Sequence, residues 1–97
     1  MLSLPKDDLE KQEILKKIAA KFKESRRYYE EEVNERIKSF DVDDYVLIRR
    51  ELVNFGYLGK DSYKGKYWLI KKELSKKDLK NIKKTQKKVN KLMDRYI

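Results

Sequence analysis

Apolar residues fall into four stretches of helical spacing and one of strand character. Leu9, Ile14, Leu15, Ile18, Ala19 and Phe22 recur on one helical face, with lysines and glutamates between them. Pro5 lies just ahead, and Asp7 or Asp8 supplies an N-cap, so a first helix is predicted over 8–23. Residues 24–27 are a polar break, and Tyr28-Tyr29 reads as a short extended piece. Glu30, Glu31 and Glu32 then put three carboxylates where the macrodipole of a new helix favours them. Val33, Ile37 and Phe40 form its stripe, giving a second helix over 30–39. After the polar break 41–44, Tyr45, Ile48, Leu52 and Phe55 share one face of a third helix, 44–55, closed by Gly56. Tyr57-Leu58, a turn-rich stretch and Lys66-Tyr67-Trp68-Leu69-Ile70 read as a hairpin across 57–70. The last helix is predicted over 75–95, with Ser75 as N-cap and Asp78 completing a capping box.

Helix, helix, helix, hairpin is the order of a winged helix. The fold class expected is therefore α+β, mainly helical and winged-helix-like, with an added C-terminal helix. Residues 1–70 form the winged-helix-like domain, and 71–97 a basic amphipathic helix that packs on the core or on a dimer partner. In that architecture helices two and three form a helix-turn-helix, the third enters the major groove, and the wing touches flanking phosphates.

Charge sharpens this picture. The 97 residues carry a net charge of +9, but 1–70 hold 15 basic against 14 acidic residues, whereas 71–97 hold 11 against 3. A nearly neutral body thus carries a basic terminal segment, which suits an acidic partner. The chain lacks Cys and His, which removes thiolate nucleophiles, Cys-based zinc sites and the commonest general base and metal ligand. Three glycines leave no Gly-rich phosphate cradle, and Asp41, Asp43 and Asp44 lack the Gly and Glu of an EF-hand loop. No enzyme activity, metal, cofactor or small-molecule substrate is expected. No apolar run approaches the roughly 18 residues of a spanning helix, and the start of the chain lacks the charged region of a signal peptide. A cytoplasmic protein is expected.

On a wheel of about 100° per residue, the side of helix three opposite its apolar face carries Asp43, Val46, Arg50, Val53 and Asn54, with Arg49 at the flank. Arg50 suits guanine and Asn54 adenine, and the valines suit a thymine methyl. Against base readout, Asp43 and Asp44 sit at the end that usually enters the groove. On the wing, Lys60, Lys64 and Lys66 are candidate phosphate contacts, or else edge lysines that discourage strand pairing. Tyr67 and Trp68, neighbours on a strand, are read as one core and one surface residue.

In the terminal helix, Leu79, Ile82, Gln86, Val89, Met93 and Tyr96 follow alternating steps of three and four, the seam of a coiled coil. Burying such a stripe is worth on the order of 10 kcal/mol, so it packs on helix one, on a second copy or on a foreign partner. Leu79, Ile82, Val89, Met93 and Tyr96 are the candidate dimer contacts. The opposite face bears Lys76, Lys77, Lys80, Lys83, Lys84, Lys87, Lys88 and Lys91. With no Trp or Phe in the stripe, a membrane-surface helix is disfavoured.

Four ordered segments carry a resemblance: Arg27-Tyr28-Tyr29-Glu30-Glu31-Glu32-Val33-Asn34, Asp44-Tyr45, Arg49-Arg50-Glu51-Leu52-Val53 and Gly65-Lys66-Tyr67-Trp68. Across roughly residues 3–70 the chain resembles the bacterial domain of unknown function 2087, found alone or behind ArsR-type helix-turn-helix regulators. The resemblance implies an intracellular prokaryotic protein in a regulatory context and supplies no demonstrated activity. The chain departs from the family pattern at Tyr29, where a Thr cap is usual, and at Lys60, where an Arg is usual. Together these features lead to a homodimeric winged-helix regulator binding duplex DNA through Arg49, Arg50, Asn54, Lys60, Lys64 and Lys66. The alternative is a protein-interaction module that uses a winged-helix-like scaffold without sequence-specific DNA binding.

Overall fold

The computed structural model describes residues 1–83. In chain order they form α1 (Asp8–Ala19), β1 (Arg27–Tyr29), α2 (Glu30–Lys38), α3 (Tyr45–Asn54), β2 (Leu58–Asp61) and β3 (Lys66–Leu69), followed by a helix, α4, that covers 76–83 of the described residues. The strands form one antiparallel sheet in the order β1-β3-β2, so the extended piece between the first two helices is the third strand of the wing sheet. Arg27 pairs with Trp68, Tyr28 with Tyr67 and Tyr29 with Lys66, while Gly59 faces Trp68 on the other side. This is an α+β fold with winged-helix topology.

The boundaries of α1, α2 and α3 follow local signals. The Asp7 carboxylate accepts from the Leu9 and Glu10 amides at 2.8 and 3.1 Å, capping α1. α1 ends at Ala19, four residues before the predicted boundary. The chain there tightens into bonds from the Lys21 N–H to the Ile18 carbonyl and from the Phe22 N–H to the Ala19 carbonyl, both 3.0 Å. That turn swings Phe22 into the core, edge-on to Tyr28 with ring centroids 5.0 Å apart. Asp44 caps α3 by accepting from the Leu47 amide at 3.0 Å. Gly56, at φ +80°, ends it: the Gly56 N–H donates to the Val53 carbonyl and the Tyr57 N–H to the Leu52 carbonyl, a Schellman pair. At α2 the Glu32 carboxylate accepts from the Tyr29 N–H at 3.3 Å, while Tyr29 makes no side-chain cap, so half of the box remains.

The core draws on all of these elements. Leu15, Ile18 and Ala19 of α1, Val33 and Ile37 of α2, Ile48 and Leu52 of α3, and Tyr28, Leu58, Tyr67 and Leu69 of the sheet are buried together with Phe22 and Tyr57. One polar link crosses this core: the Tyr57 hydroxyl donates to Gln12 Oε1 at 2.8 Å, and Gln12 Nε2 donates to the Asp8 carbonyl at 2.7 Å. The first residues of the chain brace the turn between α2 and α3. The Leu2 N–H donates to the Asp41 carbonyl, the Asp43 N–H to the Leu2 carbonyl, and the Ser3 hydroxyl to the Asp43 carboxylate.

α4 begins as its sequence signals. The Asp78 N–H donates to Ser75 Oγ and the Ser75 N–H to Asp78 Oδ2, each at 3.2 Å, the reciprocal box expected from that pair. Lys71 Nζ lies 2.8 Å from the same carboxylate and ties the helix start to the end of the sheet. Leu74 packs against the core, Ile82 is half-buried, and Leu79 is exposed. Val89, Met93 and Tyr96 of the predicted seam, and Lys84, Lys87, Lys88 and Lys91 of the basic face, lie outside the described residues.

Candidate functional site

The C-terminal half of α3 runs beside β2 and β3, and between them lies a recess of about 260 Å³ lined by Arg49, Arg50, Val53, Asn54, Lys60 and Tyr67. The Schellman turn at Gly56 makes this possible. It reverses the chain immediately after α3, so that β2 returns alongside the helix it has just left. Cross-strand pairing does the rest: Lys60 lies directly opposite Tyr67, so both side chains share the face that lines the recess, Tyr67 buried and Lys60 exposed at the rim.

The two neighbouring arginines have different situations. Arg49 is a structural tie: its Nη1 donates to Asn34 Oδ1 at 2.6 Å and its Nη2 lies 3.4 Å from Glu30 Oε1, joining α3 to α2. Tyr67 donates its hydroxyl to the same Glu30 oxygen at 3.0 Å. Burial, then the hydrogen bond to Glu30, pushes the Tyr67 phenol above its ordinary pKa, with Lys60 opposing the shift. Tyr67 therefore stays protonated at neutral pH and acts as a donor. Arg50, by contrast, is exposed and makes no hydrogen bond or ion pair among the described residues. The same holds for Asn54. Lys60 Nζ sits 5.6 Å from the centroid of the Tyr67 ring and has no acidic partner among the described residues.

Of the six residues assigned to DNA from the sequence, the structure brings Arg49, Arg50, Asn54 and Lys60 to one recess. Lys64 stands apart, exposed on the wing turn, and Lys66 lies over the Tyr29 ring at 5.5 Å. The wing itself is a fixed loop. Asp61 Oδ1 accepts from the Tyr63 and Lys64 amides, the Gly65 N–H donates to the Asp61 carbonyl at 2.8 Å, and Gly65 takes φ +62°. Its tip presents Tyr63 fully to solvent.

Sequence reasoning did not place Glu30, Asn34 or Tyr67 in the site. A signal for them existed: Glu30 and Asn34 lie one helical turn apart in the first of the four quoted segments, Arg49 in the third and Tyr67 in the fourth, and all converge here. Glu51, next to Arg50 in sequence, lies 3.8 Å from Lys11 of α1. Among the described residues no cluster of acidic side chains is arranged to hold a metal ion, and no helix is long and apolar enough to cross a membrane.

No curated protein and no solved structure matches the chain. A family model does, over residues 1–69, which takes in every element up to β3 and the whole recess. The chain belongs to domain of unknown function 2087, a family of uncharacterized proteins conserved in bacteria.

Proposed function

We propose that this protein is a small winged-helix regulator that binds duplex DNA. The observation that carries the reading is the recess where Arg50 and Asn54 of α3, which make no hydrogen bond or ion pair among the described residues, stand beside Lys60 of the wing sheet, with Lys64 exposed farther out on the wing turn. Arg and Asn suit guanine and adenine edges or the phosphates beside them, and lysines neutralise phosphates as point charges. The approach is by the C-terminal half of α3. At the other end of that helix the Asp44 carboxylate caps α3 and Asp43 accepts from Ser3, so negative charge there holds phosphates away. Arg49 acts behind this surface by fixing α3 against α2. The lysines of 71–83 add electrostatic attraction, and exposed Leu79 favours the terminal stripe as the seam of a homodimer, which suits a two-fold DNA site.

Fluorescence anisotropy with labelled duplex DNA tests the reading. With about five phosphate contacts, log affinity against log salt has a slope of about −4 to −5. Arg50→Ala with Asn54→Ala lowers affinity while the fold is kept. No duplex binding at low salt leaves the protein-interaction reading, for which the half-exposed Val46 and Leu47 of α3 are the contact surface.

A further inference from the structure

We infer that the recess between α3 and the wing sheet seats a single phosphate group, held by the Arg50 guanidinium and the Lys60 ammonium with the Asn54 carboxamide as a further donor. The inference rests on the same surface as the DNA reading but does not require duplex binding.

The charge balance around the recess sets its ligand class. Among the described residues no carboxylate lines it. The nearest acid engaged by its lining, Glu30, takes the Tyr67 hydroxyl and faces the Arg49 guanidinium, so the charges of the floor balance. Two cations from two different elements, Arg50 and Lys60, have no acidic partner among the described residues. An arginine fork, an ammonium and a carboxamide offer more donors than a carboxylate has lone-pair directions in one plane, whereas the tetrahedral oxygens of a phosphate can face donors arriving from separate elements. The size agrees: about 260 Å³ falls below the roughly 300–1,000 Å³ of drug-sized pockets and accommodates a phosphate with part of its sugar against Val53 and the Tyr67 ring. The floor does not yield, because Arg49, Glu30, Asn34 and Tyr67 are cross-bonded. Two sources supply such a group, a nucleic-acid backbone and a free phosphorylated small molecule.

The test is a titration of the isotope-labelled full chain with inorganic phosphate, at constant ionic strength made up with chloride, followed by amide chemical shifts. Saturable shifts centred on Arg50, Asn54 and Lys60 are expected. Arg50→Ala or Lys60→Ala weakens the apparent affinity by about tenfold or more, as loss of a charge-assisted bond implies. Lys60→Arg retains binding, and Lys17→Ala on α1 leaves it unchanged. A response matched by chloride alone, or shifts spread evenly over the lysines of 71–97, overturns the assignment. Adding duplex DNA to the phosphate-bound protein then separates the sources. Displacement of phosphate identifies the duplex as the occupant of the recess, and phosphate retained beside bound duplex identifies a free phosphorylated molecule. Phosphate bound with no duplex binding at all removes the DNA reading and leaves the phosphate seat standing.

Discussion

Replacing Arg49 and Arg50 by alanine, one at a time, separates the two roles assigned to adjacent side chains. The Arg49 side chain is only 16% exposed and donates to Asn34 Oδ1 at 2.6 Å. A hydrogen bond from a charged group contributes about 1.5–3 kcal/mol. The contact with Glu30 is longer, at 3.4 Å, and Glu30 is 48% exposed, so solvent screening limits that pair to a few tenths up to about 1 kcal/mol. Arg49→Ala is therefore expected to destabilise by about 2 kcal/mol, which for a domain of this size lowers Tm by roughly 8–16 °C. Arg50 is exposed and makes no hydrogen bond or ion pair among the described residues, so Arg50→Ala stays within about 0.5 kcal/mol of wild type while weakening binding at the recess. Thermal melts followed by circular dichroism, with urea titrations at one temperature, give both numbers. Equal melting of the two variants, or a less stable Arg50→Ala, would refute the assignment. A simultaneous change of both arginines confounds unfolding with loss of contact, so the single variants are the informative ones.

Other predictions follow from the core and the sheet. A Cβ added at Gly59 meets the Trp68 indole at 2.3 Å, so Gly59→Ala is expected to cost about 1–3 kcal/mol by overpacking; wild-type stability would contradict the observed packing. The Tyr57 hydroxyl is held neutral, its pKa pushed up to about 12 first by burial and then by the charges of Glu13, Asp78 and Glu73. Its folded value lies above the unfolded 10.0, so its contribution is whole below about pH 10 and is lost as pH rises toward 12, amounting to about 2–3 kcal/mol. Denaturant titrations across that window check this, and Tyr57→Phe is expected to remove that part of the alkaline slope. The Asp78 carboxyl lies below its ordinary 3.8, first because Lys71 donates to it and then because Ser75 does. Its contribution is present above that value and lost as pH falls through the lower folded one. An NMR titration of Asp78 is expected to move back toward 3.8 in Lys71→Ala, and an unmoved titration contradicts the tie.

The helices were legible because each is written in local terms. Period, caps and the glycine at position 56 specify α3 almost to the residue, and Ser75 with Asp78 specifies the start of α4. The end of α1 was not legible, since Phe22 keeps the helical period while the backbone leaves it for a tighter turn set by packing on Tyr28. Tyr28-Tyr29 read as extended, but its pairing with β3 joins positions some forty residues apart and carries no local mark. The recess was half legible. Arg50, Asn54 and Lys60 stood out by residue type, yet nothing local tells Arg49 from Arg50. That difference arises only when α2 brings Glu30 and Asn34 against one and leaves the other in solvent. The bracing of the turn by Leu2 and Ser3 is likewise a tertiary fact.

Where a duplex touches the chain decides between a DNA-binding regulator and a protein-interaction module. Amide chemical-shift mapping of the labelled protein with a short duplex, at moderate salt, reads this directly. Shifts are expected to concentrate on Arg50, Asn54, Lys60, Tyr63 and Lys64, and to weaken sharply in the Arg50→Ala, Asn54→Ala double variant. Shifts confined to residues 71–97, with α3 and the wing unchanged, would contradict the regulator reading.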